Sequence, residues 1–198
     1  MGDVTMPAIR ERVREVFNRV AESPLAKFRF AVGPALATRL GYPMQRIAAL
    51  PPTAADSFTG VAYLHDDLDA RGGDHLLDLG SGGGLDTLLM AQSVLPGGTV
   101  TGLDIAERMV EKAANLALEV GVKHASFRQG SAEVMPFADA TFDAAHVNGF
   151  FNLCPDKAAV ARELLRVLKV GGRAVVAEIT FAPPMERPPM NSPDDWFR

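Results

Sequence analysis

The chain holds a single cysteine, Cys154, among its 198 residues. That excludes an internal disulfide and any cysteine-ligated metal cluster. A reducing, cytoplasmic setting fits such usage. Long apolar runs are missing too. The stretch near residues 30–40 is broken by Pro34 and Arg39, so neither a bilayer span nor a signal segment is expected. Neither sign of charge dominates. Twenty Lys and Arg stand against 24 Asp and Glu, a net −4, which argues against nucleic acid as a partner. The arginines of the first fifty residues are interrupted by acids and read as a solvated helix face. Repeats and low-complexity tracts are also absent. What remains is the composition of one globular domain, large enough to bury a core.

Residues 6–22 place Ile9, Val13, Val16 and Val20 at helical spacing, with Arg and Glu on the other side. This predicts an amphipathic helix. Pro24, Pro34, Pro43, Pro51 and Pro52 punctuate the next segment, which predicts short helices and loops through residue 74. From residue 75 the texture changes. Apolar runs at 75–79, 99–104, 125–129, 142–148 and 173–180 alternate with helical patterns at 85–94, 106–120 and 156–168. Alternation of this kind predicts an α/β fold: a doubly wound, Rossmann-like, mostly parallel sheet with helices on both faces. Right-handed crossovers gather the strand C-terminal ends on one edge, where such folds bind ligands. The expected organisation is a helical lid and substrate segment (1–74), a ligand-binding core (75–182) and a proline-rich tail (183–198).

The first strand, 75–79, runs into Gly80-Ser81-Gly82-Gly83-Gly84. Glycine lets a backbone close tightly on a ligand, and the helix that follows offers its free N–H groups there. Asp104 ends the second strand and can accept hydrogen bonds from both hydroxyls of a ribose; capping the helix from 106 is its alternative role. Dinucleotides and S-adenosylmethionine both use this pair of devices. A dinucleotide turn reads Gly-x-Gly-x-x-Gly, whereas here Asp78-x-Gly80-x-Gly82-x-Gly84 puts an acid ahead of the glycines. A carboxylate beside a pyrophosphate is repelled; beside an ammonium or sulfonium it is favourable. Asp86 reads as a helix-dipole residue.

The segments 76–84, 100–104, 130–137, 142–143 and 165–173 resemble, in order, those of class I S-adenosylmethionine-dependent methyltransferases. The likeness covers residues 75–180. The last segment, Leu165-Arg166-Val167-Leu168-Lys169-Val170-Gly171-Gly172-Arg173, is its most specific part, with Val170 where the family usually has proline. The resemblance implies S-adenosylmethionine as cofactor. By it, Gly80, Ser81 and Gly82 line the methionine part, with Asp78 near the positive charge and Asn148 at the mouth. Asp104 holds the ribose, Ile105 and Met109 pack near the adenine, and Ser131 and Ala132 lie at its edge. Where Ser131 stands the family commonly has Asp. Met109 equally fits a core spacing with Ala113, Leu116 and Val120.

Within the superfamily the pattern is most similar to arsenite methyltransferase-like proteins, through 82–87, 148–157 and Leu40-Gly41-Tyr42. Those enzymes hold trivalent arsenic with cysteines that this chain lacks: Gly149 stands at one expected position and residues 57–61 offer no thiol. Cys154 reads as a buried free cysteine. The expected activity is methyl transfer to a small-molecule acceptor. Arsenite methylation, a catalytically silent cofactor-binding module and an NAD-binding oxidoreductase are the alternatives.

No catalytic base and no metal ligand is assigned. His65 reads as an exposed loop residue near Tyr63, His146 as a structural histidine sharing a sheet face with Asn148. Phe150 and Phe151 fit either a substrate wall or helix packing. After residue 180 the composition does not read as the further strand pair usual in this fold. That leaves the fifth strand as an apolar edge that invites pairing; the expected explanations are a strand pair lying outside this sequence, a strand pair supplied by another chain, or a homodimer across the edge.

Overall fold

The computed structural model describes residues 4–180 and 190–197. Residues 183–189 and 198 of the tail segment lie outside the described residues. Helix α1 spans Met6–Glu22, opened by Thr5, whose hydroxyl accepts from the Ala8 amide at 3.4 Å. Ile9, Val13 and Val20 form its buried stripe. Short helices follow: α2 (Pro34–Arg39), α3 (Met44–Ala48) and α4 (His65–Leu68). Then strands and helices alternate: β1 (His75–Leu79), α5 (Leu85–Ala91), β2 (Thr99–Asp104), α6 (Glu107–Glu119), β3 (Ala125–Gln129), β4 (Phe142–Asn148), α7 (Lys157–Val167) and β5 (Leu168–Ala177).

The five strands form one sheet in the order β3-β2-β1-β4-β5, with every neighbouring pair parallel. Leu76, Leu77 and Leu79 make β1 apolar on both faces, as a central strand covered twice requires. On one face Leu77, Leu79, Ala145 and Val147 pack against Val160, Leu164 and Val167 of α7. On the other, Leu76, Val100 and Ala144 pack against Met90 and Ala91 of α5. The chain leaves β1 toward β2 on one side and reaches β4 on the other, so a crevice opens at the C-terminal ends of the strands.

β5 departs from expectation. It begins at Leu168 rather than 173 and ends at Ala177 rather than 180. Phe142 pairs with Leu168 but Ala144 pairs with Arg173, so residues 169–172 bulge out of the ladder. Gly171, at φ 79°, makes that detour possible without leaving the sheet. Lys169 holds the bulge by donating to both oxygens of Asp143 at 2.8 Å. The far end stops because Glu178 turns away, its carboxylate accepting from the Asn152 amide at 2.9 Å.

The N-terminal segment lies across α6. Val20 packs with Ala106 and Met109, and the Arg108 amide donates to Asn18 at 3.0 Å. The 3-10 turn Pro193–Phe197 returns to α1, where Arg12 donates to Asp194 at 2.6 Å. No helix among the described residues is long and apolar enough to cross a membrane.

Candidate functional site

The glycine turn is pinned beneath the end of β2. The Gly80 and Ser81 amides both donate to the Leu103 carbonyl, at 2.8 and 3.1 Å. Gly80, Gly82 and Gly84 all have positive φ. At Gly80 a Cβ would lie 2.5 Å from the Phe150 ring, and at Gly84 2.8 Å from Ala113. At Gly82 nothing lies within 4 Å of that position. The turn is therefore glycine for packing at its ends and open at its centre.

Asp104 faces this opening. One carboxylate oxygen accepts from the Gly82 amide and the other from the Ala106 amide, both at 2.9 Å. The N-cap of α6 is Ala106, so Asp104 is not the cap. Each oxygen keeps acceptor capacity toward the crevice. Burial pushes the Asp104 carboxyl up to about 6, against the pull of those amides.

Around the opening lies a partly open cavity at the C-terminal ends of the strands, where folds of this kind bind small molecules. Of the sequence-predicted residues, Gly80, Gly82, Asp104, Ile105, Ser131, Ala132 and Asn148 line it. Asp78 and Ser81 line a smaller space beside it. Met109 is not brought there; it is fully buried against Val20 and Ala106, the packing its helical spacing serves. Ser131 Oγ accepts from the Glu133 amide at 3.2 Å. The Ser81 hydroxyl is buried with no protein partner.

Three cavity-lining residues that sequence reasoning missed come from α1: Arg10, Val13 and Phe17. Their spacing of three and four puts them on one helix face, which was the available signal. Arg10 pairs with Glu133, which also lines the cavity. Cys154 lines it too; it is buried, and burial pushes its thiol up to about 12. Phe150 lines the cavity and packs on Gly80 of the turn.

Behind the crevice lies a buried polar network. Asp78 accepts from Thr87 at 2.5 Å and from His146 Nδ1 at 2.9 Å. Asp86 accepts from the Tyr42 hydroxyl at 2.7 Å and from His65 Nε2 at 2.8 Å. Asn148 Oδ1 accepts from the Val61 and Ala62 amides at 2.8 and 3.1 Å, and its Nδ2 donates to Tyr42 at 3.0 Å. Thus Asn148 borders the cavity, yet its amide fastens the N-terminal segment to the end of β4. His65 is not an exposed loop residue: it is buried against Asp86 and stacked on Tyr63 at 4.8 Å. Asp86 stands in the first turn of α5, as expected, and is also the buried hub of this network.

Its electrostatics are mutually supporting. Burial alone would raise the Asp86 carboxyl; His146, His65 and Tyr42 win and hold it below the usual range. Burial opposes charge on His146, but Asp86 and Asp78 outweigh it and raise its pKa. Burial and the neighbouring Asp86 drive the Tyr42 phenol upward, so it stays a donor.

Residues 70–191 match the methyltransferase domain family. An arsenite methyltransferase of Halobacterium salinarum is 32% identical over 156 residues, covering 79% of this chain and 40% of that protein. A nocamycin O-methyltransferase of Saccharothrix syringae is 40% identical over 122 residues, covering 61% of this chain and 44% of that protein. Among solved structures, an arsenic(III) S-adenosylmethionine methyltransferase from Chlamydomonas reinhardtii superposes with TM-score 0.55 at 28% identity, covering 75% of this chain and 50% of that one. The chain spans less than half the length of both sequence relatives. Sheet order, glycine turn, strand-end carboxylate and these likenesses agree: the chain belongs to the class I S-adenosylmethionine-dependent methyltransferases.

Proposed function

We propose that this protein transfers a methyl group from S-adenosylmethionine to a small organic acceptor. One observation carries the reading: Asp104 and the open centre of the glycine turn meet at one wall of the cavity. The fit rests on this chain's own groups. Asp104 has acceptor capacity for ribose hydroxyls. Gly82 leaves room where a Cβ would stand, and the buried Ser81 hydroxyl awaits a partner. In this reading Gly80, Ser81 and Gly82 hold the methionine part, with Asp78 behind them. Ile105, Ser131 and Ala132 hold the adenine.

When bound, the cofactor supplies a methyl already activated on a positive sulfur. The protein's task is alignment and exclusion of water. Residues 1–74 serve as the lid: α1 covers the cavity with Arg10, Val13 and Phe17, and the Arg10–Glu133 pair latches it. Holding an acceptor at roughly 3–3.5 Å from the methyl carbon contributes on the order of 7–11 kcal/mol. No base is assigned, since thiolate and amine acceptors need little acid–base help.

Arsenite is disfavoured as the acceptor. A soft ion needs several thiolates, and Cys154 is the chain's one cysteine, with its thiol protonated at neutral pH. The test is turnover of methyl-labelled cofactor over hydroxyl, amine and thiol acceptors, with arsenite plus glutathione in parallel. Methylation of an organic acceptor is expected, with weak or absent methylation of arsenite, which one thiol cannot hold. Tight cofactor binding with no methyl transferred to any acceptor would overturn the reading.

We also propose a cytoplasmic setting and a homodimer through β5, which forms the sheet edge among the described residues. Val176 and Ile179 are exposed beside it, and such an edge templates a further strand. Sedimentation at twice the chain mass is expected, reverting to the monomer in Ile179→Lys. A wild-type monomer at high concentration would refute it.

A further inference from the structure

His65, Asp86 and His146 converge from three separate elements, α4, α5 and β4. Their ligand-capable atoms all lie within 4.8 Å of one another. The side chains are 5%, 9% and 0% exposed. Two imidazoles and one carboxylate are the donor set of borderline transition ions. We propose that these three residues bind a divalent transition-metal ion of the Zn²⁺ class.

Two observations point to a ligand rather than to a closed hydrogen-bond network. His146 Nδ1 lies 2.9 Å from Asp78, and its Nε2 is buried with no partner; with Nδ1–H given to Asp78, the neutral imidazole that a metal requires presents its Nε2 lone pair. A carboxylate behind a histidine, with the far nitrogen free, is the usual support for a metal-bound imidazole. His65 Nδ1 is likewise buried without a partner while its Nε2 faces Asp86. The charges agree as well. Asp78 and Asp86 are both buried acids, and one divalent ion offsets both.

Metal bonds of about 2.0–2.2 Å need the most distant pair of donors to close by about 1 Å, within reach of side-chain rotation. Entry is open from the small space beside the glycine turn, which Asp78 and Asp86 both line. The ion ties α4 to the sheet, and with it the loop at residues 61–62 that Asn148 holds. It is a clamp for the N-terminal segment, not a group that touches the methyl acceptor.

The test is titration of chelator-stripped full-length protein with Co²⁺ by visible absorption, followed by displacement with Zn²⁺. One ion per chain is expected, with ligand-field bands that Zn²⁺ abolishes. His65→Gln and His146→Gln are each expected to weaken Co²⁺ binding at least about tenfold. Where His146→Gln fails to fold by circular dichroism, His65→Gln and the Zn²⁺ displacement on wild type decide. No binding at about 100-fold molar excess of Co²⁺ overturns the proposal. So does binding that the folded His65→Gln variant leaves unchanged, since the ion then sits on surface groups. None of these readouts needs the methyl donor, so failure here and failure of the methyltransfer reading are separate results.

Discussion

Asp104→Ala is expected to weaken S-adenosylmethionine binding by about two to four orders of magnitude. Two ribose hydroxyls donating to a carboxylate make charge-assisted bonds worth about 1.5–3 kcal/mol each. Their combined loss corresponds to that factor. Asp104→Asn keeps one acceptor and is expected to fall between. The same carboxyl predicts a pH dependence. Burial raises it to about 6 in the ligand-free protein, and only its ionised form serves the hydroxyls best. Binding is therefore expected to hold above pH 6 and to weaken by about tenfold between pH 7.5 and pH 5. The sign for folding is opposite. A carboxyl raised above its unfolded value binds its proton more readily in the native state, so this group's contribution to stability falls as pH rises from about 4, its unfolded value, to about 6. Isothermal titration of wild type and Asp104→Asn from pH 5 to 7.5 checks both claims. Equal affinity at the two ends, or an unaffected alanine variant, would remove Asp104 from the ribose site.

Asp86→Ala is expected to cost the fold about 3–5 kcal/mol. Removing the hub strips Tyr42 and His65 of their acceptor and leaves raised, buried His146 without one of its two carboxylates. Removing one partner from a buried polar set commonly costs this much, because what remains is desolvated and unpaired. For a chain of this length the fall in Tm is on the order of 10 °C. Asp86→Asn keeps an acceptor of the same shape and is expected to lose roughly half as much. Asp66→Ala, at an exposed position one residue beyond His65, is expected to stay within about 0.5 kcal/mol of wild type. Denaturant unfolding of the three variants decides; an Asp86→Ala protein as stable as wild type would mean the network is ornamental to the fold.

Much of the core was legible because its signals are local. The runs at 75–79, 99–104, 125–129 and 142–148 are the observed strands, residue for residue. Three of them carry apolar residues for a sheet covered on both faces, the edge strand 125–129 is more polar and unburied, and each is closed by glycine, asparagine or a helix start. β5 was misplaced because a bulge interrupts its pattern. Two glycines at 171–172 read as a turn from outside, and only the pairing with β4 shows that the chain rejoins the ladder.

The site divides along the same line. By itself the sequence determined four of the five strands, the glycine turn and Asp104 at a strand end, since each depends on residues a few positions apart. Tertiary structure alone decided what closes over them: α1 supplying Arg10, Val13 and Phe17, and Tyr42, His65, Asp86 and His146 gathered into one buried cluster. Periodicity tells which face of an element is apolar, but not which distant element will meet it. A polar side chain whose partner lies 44 or 21 residues away, as Tyr42 and His65 do from Asp86, carries no local mark of burial, because the stabilising bond exists only once both segments have folded against the same sheet.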